Sequence, residues 1–169
     1  MQDVVRVACV QAEPVIFDRA ATIEKLAALT KDAAAAGAQL VVFPETFIPA
    51  YPSSRWAKAF AGWADPRAKE AFALLRRESL DVPGPAERRL GEIAREHAVW
   101  LVTGVNEVDP ERPGTIYNAL LYHAPDGSLA LAQAAVYCAM APKSNALYVA
   151  ENEAKTDVAE KPAEPGPAV

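Results

Sequence analysis

The stretch Leu40-Val41-Val42-Phe43-Pro44-Glu45-Thr46-Phe47 decides how this chain folds. Four apolar residues in succession suit a short strand covered on both faces, and Pro44 ends it because its ring and missing N–H cannot continue a ladder. Upstream, Asp18 offers a helix cap, Ile23, Leu26, Ala27 and Leu29 recur at helical spacing, and Gly37 supplies a stop, which predicts a helix from about Arg19 to Ala36. Before it, Val4-Val5-Arg6-Val7-Ala8-Cys9-Val10-Gln11 is β-branched and nearly continuous in apolar character, so it reads as a first, central strand. Strand, helix and strand in this order make a βαβ unit, with the two strands parallel and the helix crossing over.

Downstream, helices are expected over Pro66 to Ser79 and, after the turn Pro83-Gly84-Pro85, over Ala86 to His97. Val99 to Val105 reads as a third buried strand, Asn106 to Pro113 as a polar loop, and Tyr117 to His123 as a fourth strand. Pro125-Asp126-Gly127 is a tight turn of the hairpin kind, and the Ala-rich run Ser128 to Met140 is compatible with a fifth strand or a helix. The fold class is therefore α/β. Between Thr46 and Ala64, Phe47, Tyr51, Trp56, Phe60 and Trp63 crowd together with prolines, as in an ordered loop that walls something apolar.

Composition excludes several functions. The chain has 169 residues and a net charge of −5, whereas a nucleic-acid binder needs clustered Lys and Arg. No apolar run approaches the ~20 residues of a membrane-spanning helix, so neither membrane nor nucleic acid is expected as a partner, and a cytoplasmic location is expected. Two cysteines and two histidines make neither a disulfide scaffold nor a multi-Cys zinc site, and no metal or cofactor is expected. Residues 151–169 carry five acids, two lysines and three prolines and read as a disordered acidic tail, which leaves 1–150 as the folding domain.

Glu45 is the most informative residue. It follows a buried strand at its carboxyl end, where ligand crevices form in open α/β sheets. Flanked by Phe43, Pro44 and Phe47, its carboxylate is expected to be partly desolvated and suited to general-base work; the plainer alternative is a surface Glu that caps a loop. Cys9 lies mid-strand and reads as buried packing. Cys138 has only Lys143 as a nearby cation to support a thiolate, so it is a poor match to a reactive thiol. His97 reads as a helix C-terminal dipole partner and His123 as a solvated residue before a turn.

Together, Val-Arg-Val-Ala-Cys-Val-Gln-Ala, the strand and loop Leu-Val-Val-Phe-Pro-Glu-Thr-Phe-Ile-Pro-Ala-Tyr-Pro, Trp-Leu-Val-Thr-Gly-Val-Asn-Glu and Ile-Tyr-Asn-Ala-Leu-Leu-Tyr-His-Ala-Pro-Asp-Gly resemble the carbon–nitrogen hydrolase superfamily, over about Val4 to Leu129. Pro-Ala-Tyr-Pro and Val-Pro-Gly-Pro look most like its nitrilase branch. The resemblance implies an α-β-β-α sandwich, of which this chain holds the N-terminal part, and metal-free cleavage of a non-peptide C–N bond in a small nitrile or amide. It also implies a Glu, a Lys and a Cys: the thiol attacks carbon, the Glu moves the proton, and the Lys stabilises developing charge. Glu45 matches the family's Glu and Tyr51 the aromatic residue beside the site.

The other two positions do not carry over. Where the resemblance implies a Lys, the chain reads Ser128-Leu129-Ala130-Leu131-Ala132-Gln133-Ala134-Ala135-Val136, and Cys138 comes early and lacks the Trp-Glu-Asn sequel of nitrilases. Two readings follow. One is a nitrilase-like hydrolase in which only the Glu is evident; the other is a non-catalytic homologue that pairs with an intact subunit. A half-sandwich exposes a sheet face, so self-association or association with an intact homologue is expected. A Rossmann-like nucleotide site is disfavoured because no Gly-rich loop follows the first strand.

Overall fold

The computed structural model describes residues 4–51, 65–112 and 114–130. The chain divides into two units, Met1–Ala134 and Ala135–Val169, and all described residues belong to the first. Its elements are β1 (Val7–Cys9), α1 (Arg19–Ala35), β2 (Leu40–Val42), α2 (Pro66–Glu78), α3 (Pro85–His97), β3 (Trp100–Val108) and β4 (Ile116–His123). The strands lie in the order β1-β2-β3-β4. Strand β1 is parallel to β2 and β2 to β3, whereas β3 and β4 are antiparallel. The expected βαβ unit is thus present, with α1 as its crossover.

Local chemistry sets the helix ends. The Asp18 carboxylate accepts a hydrogen bond from the Ala21 N–H at 2.9 Å and caps α1. Helix α3 starts with Pro85 at its first turn, where a missing N–H costs nothing, and ends at Ala98, whose left-handed backbone (φ 52°) reverses the chain into β3. Along α3, Leu90, Ile93 and Ala94 form one fully buried stripe.

The two faces of the sheet differ. Helices α1 and α3 pack on one of them. Val41, Leu101, Val105 and Leu121 meet Ile23 and Leu26 from α1 and Leu90 and Ile93 from α3, and these residues make the core. Each such side chain contributes roughly 1.5–3 kcal/mol by leaving water. On the opposite face, adjacent strands line up Val7, Leu40 and Trp100, and then Cys9, Val42 and Val102. Trp100 remains 45% exposed and Leu120 44%.

Several expectations are corrected. Strand β1 is not central: among the described residues it is an edge, only three residues long, and Val7 and Cys9 are exposed on it. Cys9 is therefore not core packing: it is exposed, on the face opposite α1 and α3. Residues Asn106 to Val108 are not loop but strand, since they pair with Asn118, Tyr117 and Ile116; partner hydrogen bonds outweigh their polarity. His123 is not solvated. Alternation along β4 turns it under α3, where it is fully buried and its Nε2 lies 3.1 Å from Glu87 Oε1. Gly91 makes room there, because a Cβ on it would come within 3.2 Å of the imidazole Cδ2. The hairpin turn after β4 is present, with Gly127 N–H donating to Ala124 O and Leu129 bridging back to His123. Trp56, Phe60, Trp63, Cys138, Lys143, most of the Ala-rich run and the acidic tail lie outside the described residues.

The β3–β4 connection is organised by Asp109. Its carboxylate accepts from the N–H groups of Glu111 (2.8 Å) and Arg112 (3.1 Å) and from the Tyr117 hydroxyl (2.6 Å). The Tyr117 bond, foremost, holds the Asp109 carboxyl below the usual Asp range. A depressed carboxyl stabilises the fold above its unfolded pKa and loses that contribution as pH falls through the folded value. Acidification below about 4 should therefore weaken the chain, and Tyr117→Phe should make that fall shallower in urea titrations run across pH. The two faces make a second test. Leu101→Ala should cost about 2–5 kcal/mol, against less than about 0.5 for Leu120→Ala, both read from urea midpoints at unchanged m-value.

Candidate active site

After Val42 the backbone keeps its register with β3 for one residue, through the Phe43 N–H donating to Val102 O at 2.9 Å. It then loops out over Pro44 to Phe47 and returns at Ile48. There the Ile48 N–H donates to Gly104 O (3.2 Å), the Asn106 N–H donates to Ile48 O (2.8 Å), and Ile48 bridges Val105 in parallel. Glu45 sits on this loop, at the carboxyl end of β2, where its position in sequence placed it.

Three features hold the loop. Phe43 and Phe47 point inward, both buried, with ring centroids 5.1 Å apart at a tilt of 47°. Thr46 adopts a left-handed backbone (φ 43°), which turns the chain sharply enough to bury Phe47 on one side and present Glu45 on the other. Gly104 lies directly beneath. A Cβ on Gly104 would stand 2.3 Å from Pro44 O, 2.5 Å from Thr46 N and 2.7 Å from Glu45 Cα, so only glycine lets the loop rest on β3. Farther along, the Asn106 side-chain amide donates to Ala50 O at 3.2 Å and anchors the approach to Tyr51.

Glu45 itself is exposed, unlike the desolvated carboxylate expected from its neighbours, because Phe43 and Phe47 turn into the core instead of covering it. Its Oε1 accepts a hydrogen bond of 2.5 Å from the Asn118 side-chain amide on β4. The carboxylate thus reaches across β3 to the next strand, over the gap that Gly104 leaves. Tyr51 is 55% exposed and follows the anchored Ala50. No group of three or more His, Cys, Asp or Glu side chains suited to a metal occurs among the described residues. Among them, too, no helix is long and apolar enough to cross a membrane.

Sequence reasoning singled out Glu45 but not Gly104, Asn106 or Asn118. The signals were present. A glycine inside a strand marks a close backbone approach, and Asn is depleted in strands, so two of them directly opposed on β3 and β4 call for a polar task.

Comparison with known proteins agrees with this architecture. An aliphatic nitrilase from Sinorhizobium fredii (strain HH103) is 42% identical over 122 residues, which cover 72% of this chain and 39% of the relative. A bifunctional nitrilase/nitrile hydratase from Nicotiana tabacum is 39% identical over 123 residues, covering 73% of this chain and 34% of the relative. Among solved structures, an amidase from Nesterenkonia sp. AN1 superposes with a TM-score of 0.51 at 21% identity, over 75% of this chain and 42% of that one. The chain thus spans between about a third and two fifths of the length of these proteins.

The loop geometry gives a direct test. Gly104→Ala should force Pro44 to Thr46 off β3 and lower stability by about 1–3 kcal/mol in urea unfolding. Equal stability would show that the loop does not rest there.

The carbon–nitrogen hydrolase family model matches residues 6–157, and the chain belongs to that family.

Proposed function

We propose that this chain carries the general-base portion of a nitrilase-type site, acting on a small nitrile or amide, with Glu45 as the base and Tyr51 beside the substrate. The observation that supports it most is Glu45 itself: a carboxylate at the carboxyl end of a parallel strand, set on a loop pinned to β3 and held by Asn118. The nitrilases and the amidase it resembles supply the substrate class.

In the proposed reaction a thiol adds to the nitrile carbon as its proton passes by way of Glu45 to the nitrile nitrogen, which gives a thioimidate. Water adds as Glu45 takes its proton and hands it to the nitrogen, ammonia leaves, and a second water hydrolyses the resulting thioester to acid and free thiol. The sum is nitrile plus two waters to carboxylic acid plus ammonia. The thiols of this chain are Cys9 and Cys138, and Cys138 has Lys143 five residues on in sequence. No metal or cofactor takes part in this scheme.

A second reading, a non-catalytic homologue that pairs with itself or with an intact subunit, is favoured by the apolar face on which, among the described residues, Val7, Trp100 and Leu120 are exposed. Ammonia release from nitriles by the purified chain separates the two. A hydrolase should lose about 10²–10⁴-fold of its rate on Glu45→Gln with its fold intact, and mass spectrometry should trap an acyl adduct on a cysteine. No release by the unaltered chain supports the pairing reading. Release that survives Glu45→Gln rules Glu45 out as the base.

A further inference from the structure

We infer that Asn118 is a positioning residue for Glu45: its side-chain amide fixes one carboxylate oxygen so that the other faces the open side of the sheet, where substrate would lie. This rests on the reading of Glu45 as the base.

The case begins with what an exposed Glu lacks. Its side chain has three rotatable bonds, and on a surface it samples many rotamers, at a cost in side-chain entropy when one is selected. A base must hold its oxygen within hydrogen-bond reach of the proton it takes, and misplacement of about 1 Å costs on the order of 10²-fold in rate. Burial does not supply that order here, because Glu45 is exposed. The Asn118 amide does, through a 2.5 Å bond to Oε1, which is charge-assisted and therefore stronger than a bond between neutral groups.

Asn118 is itself well placed to serve as a rigid anchor. It is the third residue of β4, directly opposite Asn106 in the antiparallel ladder, so its backbone is fixed by the sheet. Alternation puts Asn106 and Asn118 on the same face as Gly104, the face over which the Glu45 loop passes. Asn106 secures the loop's downstream end through Ala50 O, and Asn118 secures the carboxylate. Two opposed asparagines thus divide the work of backbone and side-chain placement. Among the described residues, Glu45 Oε2 accepts no hydrogen bond and remains open to a proton.

The test has a spectroscopic arm and a kinetic arm. In a ¹⁵N-correlated NMR spectrum of the full chain, one Asn118 side-chain N–H proton should lie well downfield of an ordinary Asn amide, and the pair should return to ordinary positions in Glu45→Ala. An Asn118 signal that is already ordinary, or that does not respond to Glu45→Ala, overturns the inference. Where the chain hydrolyses a nitrile, Asn118→Leu should lower kcat roughly 10- to 100-fold with KM within about 2-fold, because only the placement of the base is lost. Asn118→Asp, which opposes two carboxylates, should do at least as much harm. Unchanged kcat in Asn118→Leu, with turnover abolished by Glu45→Gln, overturns the positioning role and leaves the base intact. Turnover unchanged in both variants removes the base and the positioning role together.

Discussion

The site depends on the return of the backbone to β3 at Ile48. Strand β2 ends early, yet two hydrogen bonds, from the Ile48 N–H to Gly104 O and from the Asn106 N–H to Ile48 O, bring the chain back to the same edge of β3 that β2 occupied. The residues between are forced out of the ladder, and Glu45 is one of them. A loop closed at both ends by sheet hydrogen bonds loses little further entropy when it is ordered, so the side chain it displays starts from a defined base. Because the next strand, β4, is zipped to β3 along eight residue pairs, Asn118 and Glu45 are held by one and the same sheet.

The asymmetry of the sheet follows from the same sequence pattern. Val41, Leu101, Val105 and Leu121 are covered by α1 and α3 and build the core, beside which His123 Nε2 meets Glu87 Oε1. The opposite face presents Val7, Cys9, Trp100 and Leu120 and carries the Glu45 loop. An apolar face of this kind favours association, and it is the face on which the proposed chemistry would occur. The chain spans between about a third and two fifths of its nitrilase relatives, and a solved amidase shares its fold over 75% of this chain.

Much of this was legible in the residues. The cap at Asp18, the stop at Gly37, the apolar run ended by Pro44 and the stripe of Leu90, Ile93 and Ala94 each have a local cause, so the βαβ unit and all three described helices could be read directly. The misreadings share a cause as well. Apolar content alone could not tell that β1 is an edge, because strand order depends on contacts distant in sequence. His123 looked solvated because its partner, Glu87, is 36 residues away. Asn106 looked like loop, and Asn118 was read only as part of a strand, for the same reason: an asparagine's purpose in a strand depends on what crosses above it.

The most direct measurement of the account's central claim is native-state hydrogen exchange at Ile48 and Asn106. If the Glu45 loop is pinned to the sheet, both N–H groups should be as protected as that of Phe43, which donates to β3 from the end of β2, and should open only with global unfolding. Exchange at Ile48 and Asn106 that is orders of magnitude faster, like that of a surface loop, would contradict it.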